Sequence, residues 1–124
     1  MGDPIRAARK IDKPWGYELV WAETADYVGK VLHIEAGQRL SYQYHRVKEE
    51  TVYVLSGRIR VHYADGDEAP RVVELGPGDG FHVPTGLRHR FEAIETSDVA
   101  EASTPYLDDV VRLEDVYGRS GGDS

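Results

Sequence analysis

Apolar and polar residues alternate with a period of two through most of this chain. The pattern is clearest over 17–21, 28–35, 40–45, 50–55, 58–63, 71–75, 81–83, 88–94 and 99–103. Short alternating runs of this kind, rich in Val, Ile, Tyr and Phe, predict strands with one buried face. Turn residues stop them: Ala36-Gly37, Ser56-Gly57, Ala64-Asp65-Gly66-Asp67, Gly76-Pro77-Gly78 and Pro84-Thr85-Gly86. The Asp-Gly pair at 65–66 predicts a hairpin. One segment breaks the period. Val110, Leu113 and Tyr117 fall on one side of a helical spacing, which predicts a short C-terminal helix over 108–117. Many short strands with Gly and Pro between them predict an all-β sandwich or barrel. Closure is favoured because an open sheet would leave edges unpaired. Residues 1–10 are polar and predict a flexible arm, and 119–124 a flexible tail. The region between, 11–118, is expected to be one domain.

Composition narrows the chemistry. The 124 residues suffice for one core. Lys and Arg total 15 against 22 Asp and Glu, a formal charge of −7. That balance repels phosphate backbones and argues against nucleic acid as a partner. There is no cysteine, which excludes disulfides, thiolate metal sites and thiol nucleophiles. No apolar run reaches the ~18 residues of a membrane span. The polar N-terminus does not resemble a signal peptide. A cytoplasmic protein is expected, with no membrane partner.

The candidate chemistry lies in four residues. Gln43 and His45 are two apart on a strand and share a face. Glu50 opens the next run after a short bend, and His89 follows the Pro84-Thr85-Gly86 turn on a later strand. A single His in a β protein is usually a surface or packing residue, and Gln43 alone reads as an ordinary strand residue. The set together offers an amide oxygen, two imidazoles and a carboxylate. Such nitrogen and oxygen donors suit Zn, Fe, Mn, Ni or Co. One carboxylate leaves a divalent ion with net positive charge, which attracts an oxygen-rich or anionic small molecule.

The spacing of these residues carries a resemblance. Gly37-x5-Gln43-x-His45-x4-Glu50-x6-Gly57 resembles the first cupin motif, with Gln in place of its first His. Gly78-x5-Pro84-x-Gly86-x2-His89 resembles the second, with Ala93 where Asn is usual. Three further stretches resemble cupins of the mannose-6-phosphate isomerase type: Lys13-Pro14-Trp15-Gly16, Gln38-Arg39-Leu40-Ser41-Tyr42-Gln43, and the ending from Asp108-Asp109 through Arg112 to Tyr117-Gly118-Arg119. The whole of 13–119 thus resembles a small stand-alone cupin related to the C-terminal domain of type II phosphomannose isomerases. The resemblance implies a double-stranded β-helix, or jelly-roll barrel, and a metal held by Gln43, His45, Glu50 and His89. Zinc is the first expectation, because zinc phosphomannose isomerases use the same Gln, His, Glu and His shell. It also implies aldose–ketose isomerisation of a sugar or sugar phosphate, and a homodimer.

Further residues are candidates for the reaction. Lys48, two before Glu50, faces the ligand side if the segment is extended; the alternative is a solvated loop lysine. Glu101 is the candidate base, against the reading of an exposed strand Glu. Arg112 carries a fork suited to phosphate or carboxylate, unless it forms a structural ion pair with Asp109 or Glu114. His82 and Trp15 are candidates for substrate contact, Trp15 against the reading of a core aromatic. His33 and His62 read as ordinary strand residues. Two other functions share the shell: an iron-dependent dioxygenase, and a non-catalytic cupin that binds a sugar or metabolite.

Overall fold

Every long alternating run becomes a strand, because β-branched and aromatic residues on one parity can be buried together only on a pleated surface. The computed structural model describes residues 2–118. In chain order the strands are β1 (Arg9–Lys13), β2 (Gly16–Glu23), β3 (Val28–Ile34), β4 (Tyr42–Tyr44), β5 (Glu50–Ser56), β6 (Ile59–Ala64), β7 (Arg71–Leu75), β8 (Gly80–Val83), β9 (Arg88–Ala93), β10 (Ser97–Ser103) and β11 (Val111–Glu114). They form a six-stranded sheet, β1-β2-β3-β10-β5-β8, and a five-stranded sheet, β11-β4-β9-β6-β7. All the pairings are antiparallel. This is the jelly-roll architecture expected from the sequence.

The predicted C-terminal helix does not form. Val111–Glu114 is instead a strand on the edge of the five-stranded sheet, paired with β4. Two adjacent β-branched residues, Val110 and Val111, favour extension, and β4 offers an unpaired edge that outweighs a weak helical spacing. At the other end β1 takes in Arg9 and Lys10, which polarity alone had assigned to the arm. The tail predicted over 119–124 lies outside the described residues. Among the described residues no helix is long and apolar enough to cross a membrane.

Register sorts the interior into two ends. On β3 the inward parity is Val28, Lys30, Leu32 and Ile34, all buried. Leu32 lies opposite Val99 of β10, and Lys30 opposite Glu101. Val54 of β5 lies opposite Val99, and Glu50 opposite Ser103. One end of the cavity is therefore apolar. It contains Trp15, Leu32, Ile34, Val54, Ile59, Val61, Phe91 and Val99, each worth about 1.5–3 kcal/mol on burial. The other end gathers Glu18, Lys30, Glu50, Glu101 and His89, which are polar yet equally buried.

The glycines expected at turns, Gly37, Gly57, Gly78 and Gly86, all have positive φ. Gly57 is the most constrained. A Cβ there would lie 2.2 Å from Ser97 Oγ and 2.5 Å from Thr96 O. Gly57→Ala should therefore cost about 2–4 kcal/mol, through left-handed strain and the clash with β10. Urea unfolding measures it, and a loss below 0.5 kcal/mol, on the order of an ordinary surface change, would contradict the assignment.

Candidate metal centre

Three of the four predicted ligands converge from three places in the barrel. His45 directly follows β4, Glu50 opens β5, and His89 lies on β9 opposite Gln43. His45 Nε2 lies 3.3 Å and His89 Nε2 3.2 Å from the same oxygen, Glu50 Oε1. All three side chains are buried, and their ligand atoms fall within 4.8 Å of one another. Gln43 lines the same pocket, and its Oε1 accepts a hydrogen bond from the Ser41 hydroxyl.

Hydrogen bonding on the far side of each ring sets what faces inward. His45 Nδ1 donates to the backbone carbonyl of Asp109, and His89 Nδ1 donates to that of Leu87 at 2.9 Å. A carbonyl oxygen can only accept, so each neutral ring turns a bare Nε2 lone pair toward Glu50. His89 Nε2 is a buried atom with no hydrogen-bond partner. Two lone pairs and a carboxylate facing one another repel unless a cation lies between them. Donors 2.1 Å from one ion are about 3.0 Å apart at a right angle and ~3.4 Å apart at the tetrahedral angle. The observed 3.2 and 3.3 Å fall within that interval. The donor set therefore fits a divalent transition-metal ion.

Behind this group runs a line of buried alternating charge. Lys48 Nζ bridges Glu50 Oε2 at 3.5 Å and Glu101 Oε2 at 3.3 Å. Glu101 Oε2 also faces Lys30 Nζ at 3.7 Å, and Lys30 pairs with Glu18 at 2.8 Å. Lys13 approaches Glu18 at 3.8 Å. Burial and the nearby Glu50 charge push the Glu101 carboxyl up to about 7, with both lysines opposing. Burial would raise Glu50 too, but the neighbouring Lys48 ammonium holds it well below the usual carboxylate range. Burial alone would lower Lys48, yet Glu101 and Glu50 drive it upward.

The other candidates divide. Lys48 and Glu101 are buried beside the ligands and not solvated. Arg112 stands opposite Gln43 on β11 and lines the pocket. Trp15 lines the pocket but belongs to the buried core, so it forms a wall and not an exposed sugar platform. His82 is not at the site: it is exposed on β8 and paired with Glu49. Phe81 and Val83 take the inward parity there, and His82 between them must face out. His33 and His62 are likewise paired with surface carboxylates. Glu18 and Lys30 were missed. Their signal was available, since each shares parity with apolar residues, Val20 for Glu18 and Leu32 for Lys30.

An all-β jelly roll with a buried His–Glu–His cluster inside defines a cupin-type barrel. Residues 30–102 match the cupin domain family, and the chain belongs to that family. It is 32% identical over 118 residues to the xanthan biosynthesis protein XanB of Xanthomonas campestris pv. campestris, covering 90% of this chain and 24% of that protein. It is also 32% identical over 120 residues to a mannose-1-phosphate guanylyltransferase of Escherichia coli, covering 92% of this chain and 24% of that enzyme. The chain thus spans about a quarter of the length of these curated relatives. Among solved structures, KdgF from Halomonas sp. shares the fold. The TM-score is 0.68 at 24% identity, over 78% of this chain and 87% of that one.

The charge line makes a specific expectation. Lys30→Met leaves Glu18 and Glu101 buried without their shared cation and should cost about 3–5 kcal/mol. Adding Glu18→Gln should recover part of that loss, a coupling visible in a denaturation double-mutant cycle. Additive losses would show that the pair is not interacting. His82→Ala should stay within about 0.5 kcal/mol of wild type.

Proposed function

We propose that this cupin is a metal-dependent aldose–ketose isomerase acting on a sugar or sugar phosphate of the mannose-6-phosphate type. The observation that carries the reading is the pair of imidazole nitrogens that meet Glu50 Oε1, with the buried Lys48–Glu101 pair directly behind. Gln43, His45, Glu50 and His89 would hold one divalent ion, zinc in the first instance. The bound ion would polarise a substrate carbonyl and stabilise the negative charge that builds on its oxygen.

The chain's own residues supply the rest. Glu101 is buried in the pocket lining, where its Oε2 faces Lys48 at 3.3 Å and Lys30 at 3.7 Å, and it is the carboxylate beside the ligand cluster that could exchange a proton with a substrate. It would take the proton from the hydroxyl-bearing carbon beside the carbonyl and return it to the carbonyl carbon, while the hydroxyl proton passes to the former carbonyl oxygen, which exchanges aldose for ketose. Lys48 holds Glu101 against the ligand cluster. Arg112 would receive a terminal phosphate or other anionic group, because its planar fork matches such oxygens. Trp15 and Phe91, both lining the pocket, would exclude water from the reacting carbons. The relatives, a xanthan biosynthesis protein and a mannose-1-phosphate guanylyltransferase, support a sugar ligand. A homodimer belongs to this reading, supported by exposed Trp21, Tyr27, Tyr53 and Leu55.

Elemental analysis of the purified protein, followed by interconversion of mannose 6-phosphate and fructose 6-phosphate with and without chelator, tests the proposal. Turnover should require the metal. Glu50→Gln should lose metal and turnover together. Glu101→Gln should keep the metal while kcat falls about 10²–10⁴-fold. Full turnover by metal-free protein would overturn the metal role. A metal-loaded protein that binds but never converts sugar phosphates would overturn the isomerase reading in favour of a binding cupin.

A further inference from the structure

We propose that Asp109 is a positioning residue that couples the metal centre to β11, so that ion binding and docking of β11 beside the pocket occur together. The inference rests on the metal-binding reading above.

Four consecutive residues on the ligand side converge on this one residue. His45 Nδ1 donates to the Asp109 carbonyl. The Asp109 carboxylate accepts from the backbone N–H groups of Arg46 at 3.1 Å, Val47 at 2.7 Å and Lys48 at 2.8 Å. One residue therefore fixes the ring of a candidate ligand and the loop that delivers Lys48. The next strand in the chain, β11, carries Arg112 opposite Gln43.

This wall is the least supported part of the barrel. The strand β4 has three residues and joins β9 at the single register pair Gln43–His89. On its other side it has only β11, an edge strand whose register shifts between Arg112 and Glu114. Short, irregular ladders open easily. An ion held by Gln43 and His45 on one side and Glu50 and His89 on the other would tie the β4 wall to β5 and β9. Asp109 would pass that constraint to β11 through His45 and the 46–48 amides. The sequence separation of these contacts, 61–64 residues, means that no local structure enforces them.

Residue-resolved amide exchange of the full chain, with zinc and with chelator, reads the coupling directly. In wild type, zinc should slow exchange of the Arg46, Val47 and Lys48 amides and of the strand amides over 111–114 by tenfold or more. The Val54 and Val61 amides in the core serve as the unchanged reference. Asp109→Ala keeps the backbone carbonyl that His45 contacts and removes the carboxylate that holds the 46–48 amides. It should therefore abolish the slowing at 46–48 and weaken zinc binding about tenfold, the low end of the range for losing a contact behind a ligand. Asp109→Asn, which keeps one acceptor oxygen, should fall between. A merely structural Asp109 would lower the melting temperature of both forms equally. Coupling requires that the zinc-induced rise in melting temperature shrink. Zinc binding to wild type without a change at 46–48 and 111–114 would overturn the inference and leave the metal centre standing. So would Asp109→Ala binding zinc as tightly as wild type. Failure of wild type to take up any divalent metal would overturn both. If the variants do not fold, the wild-type exchange comparison decides alone.

Discussion

Glu50 Oε1 meets two imidazole nitrogens, brought from different strands, inside a wall that excludes water. The hydrogen bonds that fix the rings consume their protons on the outside. What remains inside is two Nε2 atoms facing one carboxylate oxygen at 3.2 and 3.3 Å. Lys48 reaches the other oxygen, Oε2, and so balances the carboxylate's charge without filling the gap between the rings. A packed apolar interior would never select this arrangement, because an unsatisfied buried polar group costs roughly 1–3 kcal/mol. The rest of the molecule is arranged to hold these groups where they repel.

Strand parity is the device that does so. An inward position at one end of the barrel joins the apolar cluster; two or four residues along the same strand it joins the charge line. Leu32 and Lys30 on β3, and Val99 and Glu101 on β10, show the switch within one strand each. The charged end is tolerable because its members alternate in sign, Glu18, Lys30, Glu101, Lys48, Glu50, so each buried charge has an opposite neighbour within 3.7 Å. Buried pairs of this kind are often no more stable than hydrophobic residues of similar volume. Their placement beside the ligand cluster is better explained by the field they create there than by any gain in folding.

The strands were legible in the sequence because they follow a local period, and the grouping of His45, Glu50 and His89 because their spacing resembles the cupin motifs. Turn glycines could be placed for the same reason: a positive φ leaves glycine behind wherever the chain must reverse. The misreadings have physical causes too. Val110, Leu113 and Tyr117 have helical spacing by coincidence, and only the free edge of β4 decides that 111–114 is extended. His82 could not be given a face because the Pro84 turn breaks parity between it and His89. Glu18 and Lys30 were passed over although they occupy inward positions. A charge at such a position is ordinarily excluded, and its meaning emerges only when the partner strand brings Glu101 opposite. Asp109 stood out in the sequence only as part of the C-terminal ending and as a possible partner of Arg112, because its contacts are to backbone more than sixty residues away.

The two sheets contribute unequally to the site, and the inequality follows from their ladders. Glu50, Lys30, Glu18 and Glu101 stand on long strands of the six-stranded sheet, where many successive pairs set the register on either side of single shifts at Val20/Ala22 and Asp98/Val99. Gln43, His45 and Arg112 stand on or beside β4 and β11, where it is not. The acidic and lysine half is thus preorganised by the fold itself. The half that carries one imidazole, the amide and the arginine depends on contacts that close the site: Asp109 to 45–48, Arg90 to Glu114, Tyr117 to Gln38. The two walls of the pocket therefore differ in the number of ladder pairs that hold them. Small-molecule specificity in such a barrel is expected to reside on the wall with fewer pairs, where a change of side chain does not disturb the buried charge line.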